Sequence, residues 1–198
     1  MTCLELQTES FREGSIPVLE TERLTLRAPK LEDAKQVAAL ANDKRIAENT
    51  RRIPHPYSRA DAEDFIASAN AKRGDINFLI LRNGAPIGGC GIATPDDGIP
   101  DIGYWLGVKF WGQGYGTEAV RAIIDFAFTE LGHDELQGGA RVTNPASRRI
   151  LEKCGFQWTG VGLCRIQALN SSAPIDRFRL DRSLWMSLRR WSDVKRVS

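Results

Sequence analysis

The sequence predicts a single-domain mixed α/β (α+β) fold: a mostly antiparallel sheet flanked by helices. Three observations predict it. Strand-like runs alternate with helical periodicity along most of the chain, tight turn signals join some strands as hairpins, and 198 residues suffice for one core but are short for two. Hairpins belong to antiparallel pairs, so the sheet cannot be purely parallel.

Residues 1–18 mix Glu, Gln, Thr and Ser without periodicity and read as a loosely held arm. From Leu19 to Arg27, Leu24 and Leu26 alternate with Arg23, Thr25 and Arg27 as on a half-buried strand, which Pro29 ends. Leu31, Ala34, Val37, Ala38 and Ala41 then recur at helical spacing, with Asp33 early enough to favour the helix dipole. Arg51 to Tyr57 holds two prolines around His55 and is expected as an irregular, basic and aromatic binding loop. Ser58 with Asp61 reads as a capping box, and Ala62, Phe65, Ile66 and Ala69 mark the buried face of the helix it opens.

Phe78 to Leu81 is a strand, Arg82 to Ala85 its hairpin turn, and Ile87 to Ala93 the returning strand, weakened by Gly88, Gly89 and Gly91. In the next strand Ile102, Tyr104 and Leu106 share a face. The best helix carries Ala119, Val120, Ile123, Ile124, Ala127, Phe128 and Leu131 as its apolar stripe and stops at Gly132. A short strand, Leu136 to Val142, precedes a helix capped by Asn144, opened by Pro145 and closed by Gly155. Phe156 to Gln167 and Asp176 to Trp185 read as closing strands, followed by a basic C-terminal tail, 187–198.

Composition excludes several classes. No apolar run is long enough to cross a bilayer, so a membrane protein is not expected, and 27 basic against 25 acidic residues give +2, too near balance to imply nucleic-acid binding. Cys3, Cys90, Cys154 and Cys164 form no C-x-x-C pair, and with only His55 and His133 there is no metal-ligand spacing. The expectation is no metal, free thiols and, in the absence of a leader at the N-terminus, a cytoplasmic location.

One stretch stands out. From Phe110 to Ala119 alternating glycines lie between a strand and a strong helix, leaving backbone amides bare at the positive end of a helix dipole. That arrangement is an anion cradle. It is neither G-x-G-x-x-G, since the third glycine comes one residue early, nor a nucleotide P-loop, since no Gly-Lys-Ser/Thr follows.

The order of strand, glycine-rich turn, long helix, short strand, Asn-capped helix and Gly-Phe resembles the GCN5-related N-acetyltransferase superfamily. Its ribosomal-protein N-terminal acetyltransferase branch is the most similar. Four pieces carry the resemblance: Glu20 to Leu24, Pro56-Tyr57-Ser58, Ile102 to Leu106 running on through Trp111 to Ala119, and Asn144 to Ser147 with Leu151 to Phe156. It covers residues 19–186 as the acetyltransferase domain. Gly114 and Gly116 match the superfamily pattern, while Trp111 stands where an Arg or Gln is usual.

The resemblance implies a sheet that splays at the cofactor site, acetyl-CoA as cosubstrate, and direct transfer to a primary amine. The amides of Gln113, Gly114, Tyr115, Gly116 and Thr117 would hold the pyrophosphate, and Leu106, Gly107 and Val108 would pair with the pantetheine as a strand edge does. Asn144 would be a pantetheine contact as well as a helix cap. An α-amine of pKa about 7.8 is more than a tenth neutral at pH 7, whereas a lysine-type amine of about 10.4 is less than a thousandth neutral. A protein or peptide N-terminus is therefore the expected acceptor, with a polyamine, amino acid or antibiotic behind it.

The candidate base is Asp101, relaying a proton through water, or else a carboxylate ending a turn. The usual tyrosine acid is replaced by Leu151, so Ser147 is the candidate acid, or else bonds only to backbone. His55, Tyr57 and Trp105 are candidates for the acceptor site, against readings as a solvated loop residue and core aromatics. Transfer of a larger acyl group and a non-catalytic acyl-CoA-binding module stay open, as does oligomeric state, with a homodimer one expectation.

Overall fold

Asn83 and Gly84, at φ +50° and +75°, close the tight hairpin between two long strands and set the register of the sheet's centre. In this computed structural model, which describes residues 16–71, 75–95 and 98–194, the strands form one eight-stranded sheet. They are β1 (Leu19–Glu20), β2 (Thr25–Arg27), β3 (Ile76–Arg82), β4 (Ala85–Ala93), β5 (Asp101–Leu106), β6 (Glu135–Arg141), β7 (Gln157–Ile166) and β8 (Ser171–Asp181). Their order is β1-β2-β3-β4-β5-β6-β8-β7, and every neighbouring pair is antiparallel except β5 with β6.

The helices are α1 (Ala34–Ala41), α2 (Lys44–Ala47), α3 (Arg59–Ala71), α4 (Tyr115–Thr129), α5 (Pro145–Lys153) and α6 (Arg182–Val194). All but α2 divide between two cores on opposite faces of the sheet. On one, α4 sets Val120, Ile123, Ile124 and Phe128 against Ile102, Leu136, Phe178 and Leu180. On the other, α1 and α3 pack Val37, Ala41, Ala62 and Ile66 onto Leu79 and Leu81. Alternation along β3, with Phe78 and Ile80 to one side and Leu79 and Leu81 to the other, produces this two-sided burial.

Several segments differ from expectation. Leu19 to Arg27 is not one strand, because Thr21 folds back onto Leu24 through its amide (2.9 Å) and its hydroxyl (3.1 Å), making β1 and β2 a small hairpin. The short helix α2, capped by Asp43 accepting from Arg45 N, has too few residues to show a period. The last strand ends at Asp181, not Trp185. Asp181 accepts from Ser183 Oγ (2.5 Å) and Leu184 N (2.8 Å), capping α6, which takes in residues 187–194 of the expected tail. Of the expected N-terminal arm only residues 16–18 lie within the described part, and there Ile16 packs against the larger core.

The glycines of β4 have a positive use. A Cβ on Gly88 would overlap the Trp105 carbonyl oxygen and approach Leu106 Cα to 2.9 Å, so glycine lets β4 and β5 approach closely at the functional end of β5.

Candidate functional site

The site is made by a divergence in the sheet. Strands β5 and β6 pair only through Asp101 with Gln137 and Ile102 with Gly138; beyond that they part. A cleft of about 270 Å³ opens there, walled by Tyr104 to Leu106 of β5, by Asn144 and Ser147 at the start of α5, by the glycine stretch, and by Asn49 and Thr50 after α2.

Backbone alternation decides what β5 offers this cleft. Gly107 N donates to Ile87 O (2.9 Å), so odd positions bond towards β4, while Gln137 N donates to Pro100 O (2.8 Å), so even positions bond towards β6. Where β6 has parted, Tyr104 and Leu106 therefore turn their backbone groups to the opening. The Leu106 carbonyl already accepts the Trp111 indole N–H at 2.8 Å. Leu106 thus lies on an uncovered strand edge that lines the cleft. Gly107 turns its amide to β4, and the Val108 carbonyl accepts from Trp111 N at 3.1 Å in a single 3-10 turn.

The glycine stretch is built as a cradle. Gly112 and Gly114 sit at φ +73° and +84°, a region costly for any residue with a Cβ, and Gly114 is the N-cap of α4. The first bond of α4 runs from Glu118 N to Gly114 O at 3.1 Å, so the amides of Tyr115, Gly116 and Thr117 precede it. Arg149 and Lys153 of α5 also line the cleft, adding positive charge beside these amides.

A clamp fixes the cradle from outside. Glu118 accepts from Thr21 Oγ1 (2.7 Å), Arg23 N (2.8 Å) and Arg23 Nε (2.7 Å). Arg23 also donates to Gln113 O (3.1 Å) and lies over the buried Tyr115 ring, 4.6 Å from its centre. Burial alone would raise the Glu118 carboxyl's pKa, but the Thr21 and Arg23 donors and the guanidinium charge outweigh it and hold the group below the usual carboxylate range.

At the start of α5, Ser147 N donates to Asn144 Oδ1 (3.1 Å), and the Tyr104 hydroxyl lies 2.9 Å from Ser147 Oγ and 3.1 Å from Ser147 O. Asn144 is thus a helix cap, and it also lines the cleft. Asp101 is tied to Arg51 in an ion pair, and Arg51 O accepts from Gln167 N (3.1 Å), joining the loop after α2 to the turn before β8. Trp105 lines the cleft while resting on the second core.

His55 and Tyr57 do not meet there. His55 is exposed, and Tyr57 is buried between α1 and α3, where its hydroxyl donates to Asp61 O (3.3 Å) and burial pushes its phenol up to about 12. Cys90 and Cys154 are also buried away from the cleft, and burial raises both thiols, Cys154 to about 11. Neither is poised as an acyl carrier at neutral pH. Among the described residues no group of three His, Cys, Asp or Glu is placed to hold a metal, and no helix is long and apolar enough to cross a membrane.

Sequence reasoning missed the Thr21–Arg23–Glu118 clamp, the pairing of Arg51 with Asp101, and the Tyr104 hydroxyl. The first lay inside quoted motifs without a visible partner, since 95 residues separate Arg23 from Glu118. The last was read only as one member of an apolar strand face.

Comparison with known proteins agrees with this geometry. The family described as acetyltransferase (GNAT) domain matches residues 23–157. The N-acetyltransferase p20 of Bacillus licheniformis is 32% identical over 150 residues, 72% of this chain and 84% of that one. Among solved structures, RimL, a ribosomal L7/L12 α-N-protein acetyltransferase in complex with coenzyme A, superposes with a TM-score of 0.74 at 16% identity, covering 83% of this chain and 98% of the other. The microcin C7 self-immunity acetyltransferase MccE, in complex with acetyl-CoA and AMP, gives 0.71 at 21% identity over 81% and 93%.

Proposed function

Because the chain belongs to the GNAT acetyltransferase family and is an acetyl-CoA-dependent N-acetyltransferase, we propose that it acetylates a protein or peptide N-terminal α-amine by direct transfer. The observation that carries this reading is the state of Asp101. The candidate base is held in an ion pair with Arg51, an arrangement suited to an amine that is already partly neutral at pH 7. The likeness to RimL supports the same choice of acceptor.

The residues fit acetyl-CoA. The amides of Gln113 to Thr117 and the dipole of α4 would receive the pyrophosphate, with Arg149 and Lys153 adding charge. Tyr104 and Leu106 would pair with the pantetheine across the gap that β6 leaves. The amine nitrogen then attacks the thioester carbonyl carbon, the C–S bond breaks, and its electron pair goes to sulfur. The proton lost by nitrogen balances the one taken up at sulfur. Ser147 Oγ, which lies in the first turn of α5 and lines the cleft, would meet the departing thiolate.

A thiol-release assay tests the acceptor class. With acetyl-CoA and a panel of peptides of different first residues, spermidine and an aminoglycoside, the best free-N-terminus peptide is expected to exceed both small amines at least tenfold in kcat/KM. A small amine turning over fastest would refute the α-amine reading.

A further inference from the structure

We propose that Tyr104 is a positioning residue for acyl transfer: its phenol donates to Ser147 Oγ and so directs the serine's own proton into the cleft, towards the departing sulfur. The inference rests on the reading of Ser147 as the hydroxyl that meets the thiolate.

Tyr104 Oη has one proton and two oxygen neighbours, Ser147 Oγ at 2.9 Å and Ser147 O at 3.1 Å. The carbonyl can only accept, whereas the hydroxyl can donate or accept. If the phenol proton sits on the carbonyl, the serine proton is free to point back at Tyr104 Oη, away from the cleft. If it sits on Ser147 Oγ, that route is closed and the serine proton must point elsewhere. The second arrangement presents an O–H donor to the sulfur, and developing negative charge there favours it.

Three features make the pair suited to this. Tyr104 stands on β5, in register with Cys90 of β4, and Ser147 stands on α5 with its amide fixed by Asn144, so the contact spans the opening where β5 and β6 part. Both residues line the cleft. Burial pushes the phenol above its ordinary range, more than the Ser147 bond pulls it down, so it stays protonated and able to donate throughout the working pH range. Tyr104 keeps its proton: net transfer remains from the amine nitrogen to sulfur.

The test is a double-mutant cycle with Tyr104→Phe, which keeps the ring and its packing, and Ser147→Ala. Tyr104→Phe is expected to lower kcat about tenfold, leave KM for acetyl-CoA within twofold, and keep the thermal shift given by CoA. In the Ser147→Ala background the same change is expected to have no further effect, because the hydroxyl it positions is gone. An equal loss in both backgrounds, a loss confined to KM, or full activity of Tyr104→Phe would overturn the assignment. Full activity of Ser147→Ala, or a wild type that binds CoA but acetylates no amine, would overturn the reading beneath it.

Discussion

Glu118 shows how a single carboxylate can belong to the proposed anion site. An acid in the first turn of an anion-binding helix would repel phosphate, yet here three donors from Thr21 and Arg23 take up its oxygens on the outer side of the loop. Replacing Glu118 with Ala strands those donors and unties Gln113, so KM for acetyl-CoA is expected to rise about tenfold and stability to fall by about 1–3 kcal/mol, as measured by steady-state kinetics and urea unfolding. Arg27 and Asp33 form the comparable structural pair, two bonds of 2.8 Å with Asp33 6% exposed. For Asp33, burial raises the pKa but Arg27 and the Lys30 amide more than offset it, so both carboxyls titrate below their unfolded values. The unfolded chain then binds more protons at acid pH. The stabilisation these groups give is complete above about pH 5 and is lost as pH falls through about 4 and below. Glu118→Gln and Asp33→Asn should each flatten that acid limb in thermal melts.

At the scale of elements, function depends on how β4 holds β5 and on what β6 leaves uncovered. Gly88 allows the close approach that aims Tyr104 and Leu106 at the cleft, and alanine there would press on the Trp105 carbonyl and on Leu106 Cα. Gly88→Ala is therefore expected to displace β5, lower the melting temperature by several degrees and weaken CoA binding at least tenfold by calorimetry. Much of this was legible in the sequence. Alanine and isoleucine spacing marked α4, Asn144-Pro145 marked the start of α5, and Asn83-Gly84 marked the hairpin, because each is a local signal. The role of the β4 glycines was not, since they read locally as weak strand and only the neighbouring strands explain them: the Trp105 carbonyl at Gly88, the Trp105 indole at Gly89 and the Ile76 carbonyl at Gly91. Helix α6 was missed for a related reason: Phe178 and Leu180 alternate as a strand, and Leu184 and Trp185 follow after only three polar residues, with no proline or glycine between to mark an end. The cap at Asp181 and the Trp185 Nε1 bond to Asp125 (2.8 Å) decide the change of period.

At the scale of the whole molecule, two sheet halves meet at a short parallel junction, and the proposed cosubstrate would lie where the junction stops. The glycine stretch reads as a donor site from sequence because a phosphate cradle is local chemistry. The expected acceptor residues were harder to place, because Arg51 and Asp101, which pair, and Asn49 and Trp105, which line the cleft, come from separate segments that only the fold brings together. A ligand held by both halves stabilises the whole fold, which makes binding and architecture one claim. Backbone-amide NMR during a CoA titration tests that claim most directly. The account expects saturable shifts at the amides of Gln113 to Thr117 together with Tyr104 and Leu106, and smaller ones at Trp105 and Gly107, which bond towards β4. No binding at millimolar CoA, or binding that leaves residues 113–117 unmoved, would contradict it.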